Sequence, residues 1–397
     1  MTDIHEATTG LRVDDTALEQ VLALLGPRHE RGAPVGQRWA VLPSAASPRY
    51  LIPVGRRSVS AATRLRTSRH RLGRPAGAII GSLVKSGAIR AYPFRAAVGV
   101  GDEDTSLVER LRARFDRPQL HVAIALGRPR ANRKPVLQLI DGDGTTVGFA
   151  KLGVDAHTDA LVEREGRFLT EHGGSNPPLF LPQALLTETW QGHQLLVVGD
   201  LGAGIDGTGA LDLTAATVSA IANLGHTEMA TPLGSHWWAS TEARISDLPP
   251  SLEPLLGRCR DRARDVLARV GDHVWPFGTW HGDLARWNAV QRGDSFVVWD
   301  WERATGPVPV GFDAVHAHFQ PPILMEGRSG PAAASIALAG VEPILADLGY
   351  DGDGPALVTA YLIELRLRLA EDESMGTLGD VRWYADAVTE AALTWEP

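Results

Sequence analysis

The stretch Trp280-His281-Gly282-Asp283-Leu284-Ala285-Arg286-Trp287-Asn288 constrains this chain more than any other, together with Val298-Trp299-Asp300-Trp301-Glu302 shortly after it. Between the two clusters, Ala289-Val290-Gln291 and Phe296-Val297-Val298 read as short extended runs separated by the turn-prone Arg292-Gly293-Asp294-Ser295. A hairpin of that size returns the chain to its starting end, so Asn288 and Asp300 are expected at the same end. Asp283, Asn288 and Asp300 then converge on one small volume. Hard oxygen donors from an amide and a carboxylate suit magnesium, which takes one or two protein ligands and fills its other positions with water and phosphate oxygens. Asn288 and Asp300 are therefore the metal-ligand candidates, and Asp283 is left to face an acceptor. The competing reading, ordinary turn residues beside a hairpin, requires no chemistry.

His-Gly-Asp-x-x-x-x-Asn followed by Asp-x-Glu resembles the catalytic loop and metal site of the protein-kinase-like superfamily. With Gly at the second position it is most similar to the aminoglycoside phosphotransferase and choline kinase branch. The resemblance implies a two-lobed, kinase-like α/β (α+β) fold, ATP and Mg2+ as cofactors, and transfer of the γ-phosphoryl group to a hydroxyl. Phosphoryl transfer asks a protein chiefly for charge neutralisation and for a carboxylate that orients the attacking hydroxyl. On this resemblance Asp283 orients the acceptor while His281 and Gly282 shape the loop. Glu302 either assists at the metal or bonds to backbone. Asp313, in Gly311-Phe312-Asp313-Ala314-Val315, resembles the Asp that follows the metal site and is expected to cap backbone near the catalytic loop. Arg286 stands where similar sequences often carry Pro. Either its guanidinium donates to the transferring phosphoryl group, or it forms a salt bridge or faces water.

Upstream, His121 to Leu126, Val136 to Ile140 and Thr145 to Lys151 read as three strands, with Val147, Phe149 and Lys151 on one face by period 2. Only three of the 39 basic residues are lysines, Lys85, Lys134 and Lys151, and an ammonium aligned with an apolar face needs an anion. Thr158 to His172 reads as a helix whose inward stripe is Leu161, Val162, Glu165, Phe168 and Leu169, whereas Glu163 lies about 200° round from Leu161. A strand lysine followed by a helix glutamate resembles the kinase ion pair that positions nucleotide phosphates. That resemblance assigns phosphate contact to Lys151 and support to Glu165. Leu195-Leu196-Val197-Val198 then ends at Gly199-Asp200-Leu201, where the family joins its lobes and where backbone groups would meet adenine.

Several features have two readings. Gly127 to Pro135 falls where a phosphate-covering loop would lie, but it has one glycine instead of three, so Arg128, Arg130, Arg133 or Lys134 either supplies charge or sits on an exposed hairpin tip. Gly202-Ala203-Gly204-Ile205-Asp206-Gly207 matches a dinucleotide-binding turn, yet the helix after it leads to no second strand with an acidic residue, and a glycine-rich linker explains it better. Asp141-Gly142-Asp143-Gly144 is a tight turn, too short for a calcium loop. Arg56 to Arg74 carries seven arginines and no acid, either a solvated helical face or an anion contact without stacking aromatics. Trp237, Trp238, Trp275, Trp280 and Trp287 are expected in the core, with an acceptor wall as the alternative. Glu364, Glu371, Asp372, Glu373 and Asp380 either face a cationic acceptor or lie at exposed helix ends.

With 397 residues, 44% of them hydrophobic, the chain suffices for two or three domains. The expected division is an accessory region over 1–116, contributing to acceptor or partner recognition, a kinase-like N-lobe over 117–200 and a mainly helical C-lobe over 201–397. A formal charge of −8 argues against a nucleic-acid partner. The single cysteine, Cys259, excludes an intramolecular disulfide and falls on an apolar helical stripe. Met1 to Gly10 lacks a leader pattern and no run of 18 apolar residues occurs, so a cytoplasmic location without membrane contact is expected. The acceptor stays open: an aminoglycoside- or sugar-like metabolite, or Ser/Thr of a peptide. A pseudokinase scaffold is the reading from a different class, opposed by competent residue types at all five functional positions.

Overall fold

The computed structural model describes residues 11–30, 32–63, 82, 84, 86–126, 134–202, 211–350 and 352–396. Contacts divide the chain into a sheet-rich unit, Met1–Gly166 with Gln183–Gly202, and a mainly helical unit, Arg167–Pro182 with Ala203–Pro397. Residues 64–74, 127–133 and 203–207, which carry most of the basic run, most of the expected phosphate-covering loop and most of the glycine motif, lie outside the described residues. Among the described residues, no helix is long and apolar enough to cross a membrane.

The first unit opens with α1 (Leu11–Leu25), which is followed by Gly26-Pro27. It continues with β1 (Val35–Ser44), β2 (Ser47–Pro53), α2 (Arg57–Ala62), β3 (Arg95–Gly99), α3 (Leu107–Arg114), β4 (His121–Ala125), β5 (Val136–Ile140), β6 (Thr146–Leu152) and α4 (Ala156–His172). After β7 (Gly174–Asn176) and β8 (Leu179–Leu181), which belong to the second unit, it closes with β9 (Ala184–Trp190) and β10 (His193–Gly199). One antiparallel sheet of eight strands runs in the order β3-β1-β2-β4-β5-β6-β10-β9. The expected boundary at 116/117 therefore does not separate compact bodies, because β2 pairs directly with β4. Where β2 ends at Pro53, side chains of β1 take over: Gln37 Nε2 and Trp39 Nε1 donate to Val122 O at 2.7 and 2.6 Å, and Gln37 Oε1 accepts from Val122 N at 3.2 Å. They satisfy backbone groups that would otherwise be buried unpaired.

The faces of β6 differ from expectation. Gly148, Ala150 and Leu152 are the buried set, while Val147, Phe149 and Lys151 are only partly covered. The reason lies in the N-terminal region. Val21 and Leu25 of α1 and Leu107, Val108 and Leu111 of α3 join Ala150 and Leu152 in one core cluster, while Lys151 on the other face bonds Glu165 of α4.

The second unit contains α5 (Ala215–Ala222), β11 (Glu228–Ala230), α6 (His236–Ser246), α7 (Glu253–Ala268), β12 (Trp275–Trp280), β13 (Ala289–Arg292), β14 (Ser295–Val298), β15 (Thr305–Pro309), α8 (Phe312–Glu326), α9 (Gly330–Asp347), α10 (Gly354–Ser374) and α11 (Arg382–Thr394). Its small sheets run β11-β12-β15 and β13-β14-β8-β7. The strand after α5 pairs antiparallel with β12, unlike the parallel return that a dinucleotide fold needs. All five tryptophans named above are buried, which assigns them to the core. Cys259 is buried as well, and burial pushes its thiol up to about 11.

Glu364, Glu371, Asp372 and Glu373 of the acidic stretch are engaged inside this unit. Arg244 binds Glu364 at 2.9 Å and Glu371 at 2.8 Å, Arg303 binds Asp372 at 3.0 Å, and Arg382 reaches Glu373 at 3.3 Å. Glu364 also accepts from Trp237 Nε1 at 3.0 Å. Carboxylates already paired with guanidinium groups are poor sites for a cationic acceptor.

Candidate active site

β12 delivers the chain to His281, and the loop that follows is held by several elements of the second unit. Gly282 has φ +80°, and a Cβ there would lie 2.5 Å from Arg303 O. Only glycine suits both the left-handed backbone and that approach. Asp313, buried in the first turn of α8, accepts from His281 N at 2.7 Å and Gly282 N at 3.2 Å. It is the backbone cap expected from the sequence. Burial pushes the Asp313 carboxyl up despite the neighbouring His281 and the two N–H groups. On the other side, Arg368 Nη1 donates to Gly282 O at 2.8 Å while its guanidinium lies 4.7 Å from the Trp280 ring centre.

His281 is fully buried, and burial pushes its imidazole down. Its Nδ1 accepts from Asp283 N at 3.2 Å, so Nε2 carries the proton and donates to Trp299 O at 3.0 Å. One neutral ring thus ties the start of the loop to the far end of the hairpin.

That hairpin pairs Ala289 with Val298 and Arg292 with Ser295. Trp299 N donates to Asn288 O at 2.9 Å, closing its base and bringing Asp300 to the Asn288 end as the spacing requires. Asn288 Nδ2 donates both to Asp283 Oδ2 and to Asp283 O, each at 2.9 Å. The amide orientation leaves Asn288 Oδ1 with no described donor. Asp300 adopts φ 74°, ψ 54°, a left-handed conformation that Asp tolerates better than most residues. Carboxylate oxygens of Asp300 and Glu302 lie within 4.8 Å of each other. An amide oxygen and two carboxylates fit a hard divalent cation.

The Asp283 side chain is 35% exposed, so an incoming hydroxyl has access. Burial pushes its carboxyl up, but the hydrogen bond from His316 opposes this, and the net shift is downward. His316 Nε2 and Gln320 Nε2 each stand 3.3 Å from Asp283 Oδ1. Neither residue was foreseen, although a signal existed. Asp313, His316 and Gln320 recur at i, i+3 and i+7, a polar stripe on one face of a helix that is otherwise largely apolar.

Arg286 departs from the catalytic reading. It is exposed, donates through Nη2 to Met325 Sδ at 2.7 Å, and makes no hydrogen bond or ion pair with Asp283 or Asn288. Arg286→Ala is accordingly expected to change turnover by less than about threefold, under a kcal/mol of barrier. Steady-state rates check this, and a loss on the order of 10²-fold would restore a role at the transferring group.

In the first unit, Lys151 Nζ bonds Glu165 Oε1 at 2.7 Å and Oε2 at 2.5 Å. Glu165 is 1% exposed while Glu163 is exposed, so the helical stripe selected the correct acid. Gly199 ends β10 with its N–H on Gln183 O at 2.9 Å, and Asp200 Oδ1 accepts from Gly202 N at 3.0 Å, with Leu201 between them.

No family model matches the chain, and no curated protein matches it in sequence. Similar solved structures do exist. Aminoglycoside phosphotransferase APH(4)-Ia is 14% identical over 72% of this chain and 98% of its own, with a TM-score of 0.46. The amicoumacin kinase hAmiN is 12% identical over 72% and 98%, TM-score 0.40. A protein assigned as a fructosamine-3-kinase from Thermobifida fusca is 17% identical over 74% and 99%, TM-score 0.40. These neighbours belong to the aminoglycoside phosphotransferase branch of the protein-kinase-like superfamily. At such TM-scores the likeness is loose, and the chemistry follows from this chain's own residues.

Proposed function

We propose that the protein transfers the γ-phosphoryl group of magnesium-ATP to a hydroxyl of a small molecule. The observation that carries this reading is the joined pair Asp283 and Asn288, 2.9 Å apart at the base of a hairpin that returns Asp300 to the same end. Asp283 is an ionised carboxylate that accepts the hydrogen bond of the attacking hydroxyl and takes up its proton as the new phosphate ester forms. Asn288 Oδ1 and Asp300 would hold magnesium, with Glu302 as a further oxygen donor. The bound cation neutralises phosphate charge. Lys151, oriented by Glu165, would contact the nucleotide phosphates, and backbone groups of Gly199, Asp200 and Leu201 would hydrogen-bond the adenine. Arginine pairing across Glu364, Glu371 and Asp372 supports an acceptor that does not rely on those acids.

ATP consumption with a panel of hydroxyl-bearing metabolites and peptides tests the reaction. Asp300→Ala is expected to weaken magnesium-dependent nucleotide binding by on the order of tenfold or more, in the range typical for disturbed metal sites. Calorimetric titration at saturating magnesium reads this directly. Unchanged affinity would remove Asp300 from the metal.

A further inference from the structure

We infer that His316 and Gln320 are positioning residues for Asp283, a pair of N–H donors one helical turn apart that fixes which carboxylate oxygen faces the acceptor. The inference deepens the phosphotransfer reading and rests on it. Both donors come from α8 and converge on Oδ1, at 3.3 Å each, while Asn288 holds Oδ2 at 2.9 Å. Donors on both oxygens remove the rotational freedom that a partly exposed Asp would otherwise keep. A displacement of about 1 Å at a reacting group costs on the order of 10²-fold in rate, so fixing this rotamer has direct kinetic weight.

The His316 ring is itself oriented from behind. Its Nδ1 lies 2.8 Å from Tyr361 Oη, and both side chains are buried. Burial holds the Tyr361 hydroxyl far above its ordinary range, so it stays protonated. No other described acceptor bonds that hydroxyl, and a buried hydroxyl proton without an acceptor is costly. Tyr361 therefore donates to Nδ1, which leaves the ring proton of His316 on Nε2, aimed at Asp283. Tyr361 lies on α10 and His316 on α8, so the orientation of Asp283 depends on how two helices pack. The ring edge of Tyr361 also meets Phe312 and Phe319, with centres 5.8 and 5.6 Å apart, which anchors the donor in the apolar interior.

The test uses the full chain with magnesium-ATP and water as acceptor, the products being ADP and inorganic phosphate. His316→Ala is expected to lower kcat by about 10- to 100-fold with the KM for magnesium-ATP within about twofold, since the contact touches Asp283 and not the nucleotide. His316→Gln, which retains a side-chain N–H donor, should recover a substantial part of that loss, and Tyr361→Phe should fall between them. Equal loss in His316→Ala and His316→Gln, or wild-type kcat in His316→Ala, overturns the positioning role. Ring 15N resonances give a readout independent of turnover. His316 should show the Nε2–H tautomer, with an Nε2 signal that moves in Asp283→Asn, and an Nδ1–H tautomer overturns the contact itself. If the contact is present but the wild-type chain turns over no ATP with water or any tested hydroxyl, the functional reading fails, and the kinetic purpose assigned to the pair fails with it.

Discussion

Asp283→Asn is expected to lower phosphoryl transfer by on the order of 10³-fold while leaving magnesium-nucleotide affinity within about twofold. The carboxylate supplies two things that an amide of the same shape does not: a negative charge next to the attacking hydroxyl and a site for its proton. General-base groups contribute about 10²- to 10⁴-fold. The substitution also disturbs local hydrogen bonding. Asp283 Oδ1 receives N–H groups from His316 and Gln320, and Oδ2 receives one from Asn288, so an amide NH2 on either side sets a donor against a donor. Nucleotide affinity is spared because the metal donors assigned here are Asn288 and Asp300. Initial rates and calorimetric titration with a non-hydrolysable nucleotide separate the two effects. Turnover at the wild-type level would refute the role of Asp283, and a tenfold loss of nucleotide affinity would move Asp283 to the metal.

A chain shortened to begin near Leu120 is expected not to fold, in place of the selective loss of acceptor recognition that the sequence suggests. Removing the preceding residues strips β1, β2 and β3 from the sheet and leaves the hydrogen-bonding edge of β4 open. It also removes Val21, Leu25, Trp39, Val41, Leu51, Val98, Leu107, Val108 and Leu111 from the core cluster that contains Val122, Ile124, Leu137, Leu139, Ala150 and Leu152. Each fully buried apolar side chain contributes about 1.5–3 kcal/mol, so the loss is on the order of 10 kcal/mol or more, comparable to the whole stability of a typical domain. An exposed apolar strand edge adds a route to aggregation. Circular dichroism through a thermal ramp distinguishes the cases. A soluble fragment that unfolds cooperatively and binds nucleotide normally would show that the N-terminal strands are dispensable.

Much of the candidate site was legible because its determinants are local. The spacing from Asn288 to Asp300 is fixed by a hairpin, and a hairpin's register depends on a few turn residues. Glu165 was distinguishable from Glu163 because helical periodicity places one on the apolar stripe and the other on the opposite side. Asp313 as a backbone cap followed from its resemblance to the Asp that comes after the metal site in similar sequences.

The tertiary structure alone decided the rest. Whether Lys151 shares the more buried face of β6 depends on which helices cover the sheet, and α1 and α3 come from residues far upstream. The pairing of β2 with β4 leaves no trace in the period of either strand, since alternation records which residues share a face and not which strand lies alongside. Arg286 sits beside Asp283 in sequence, yet its hydrogen bond goes to Met325 on α8. The donors that orient Asp283 arrive from His316 and Gln320, with Tyr361 behind them. Sequence by itself determined the loop, the hairpin and the choice of Glu165 over Glu163, because their geometry is set within one turn or by a helix stripe. Packing determined the partners, because a side chain's distant neighbours depend on how whole elements stack, which short-range periodicity does not encode.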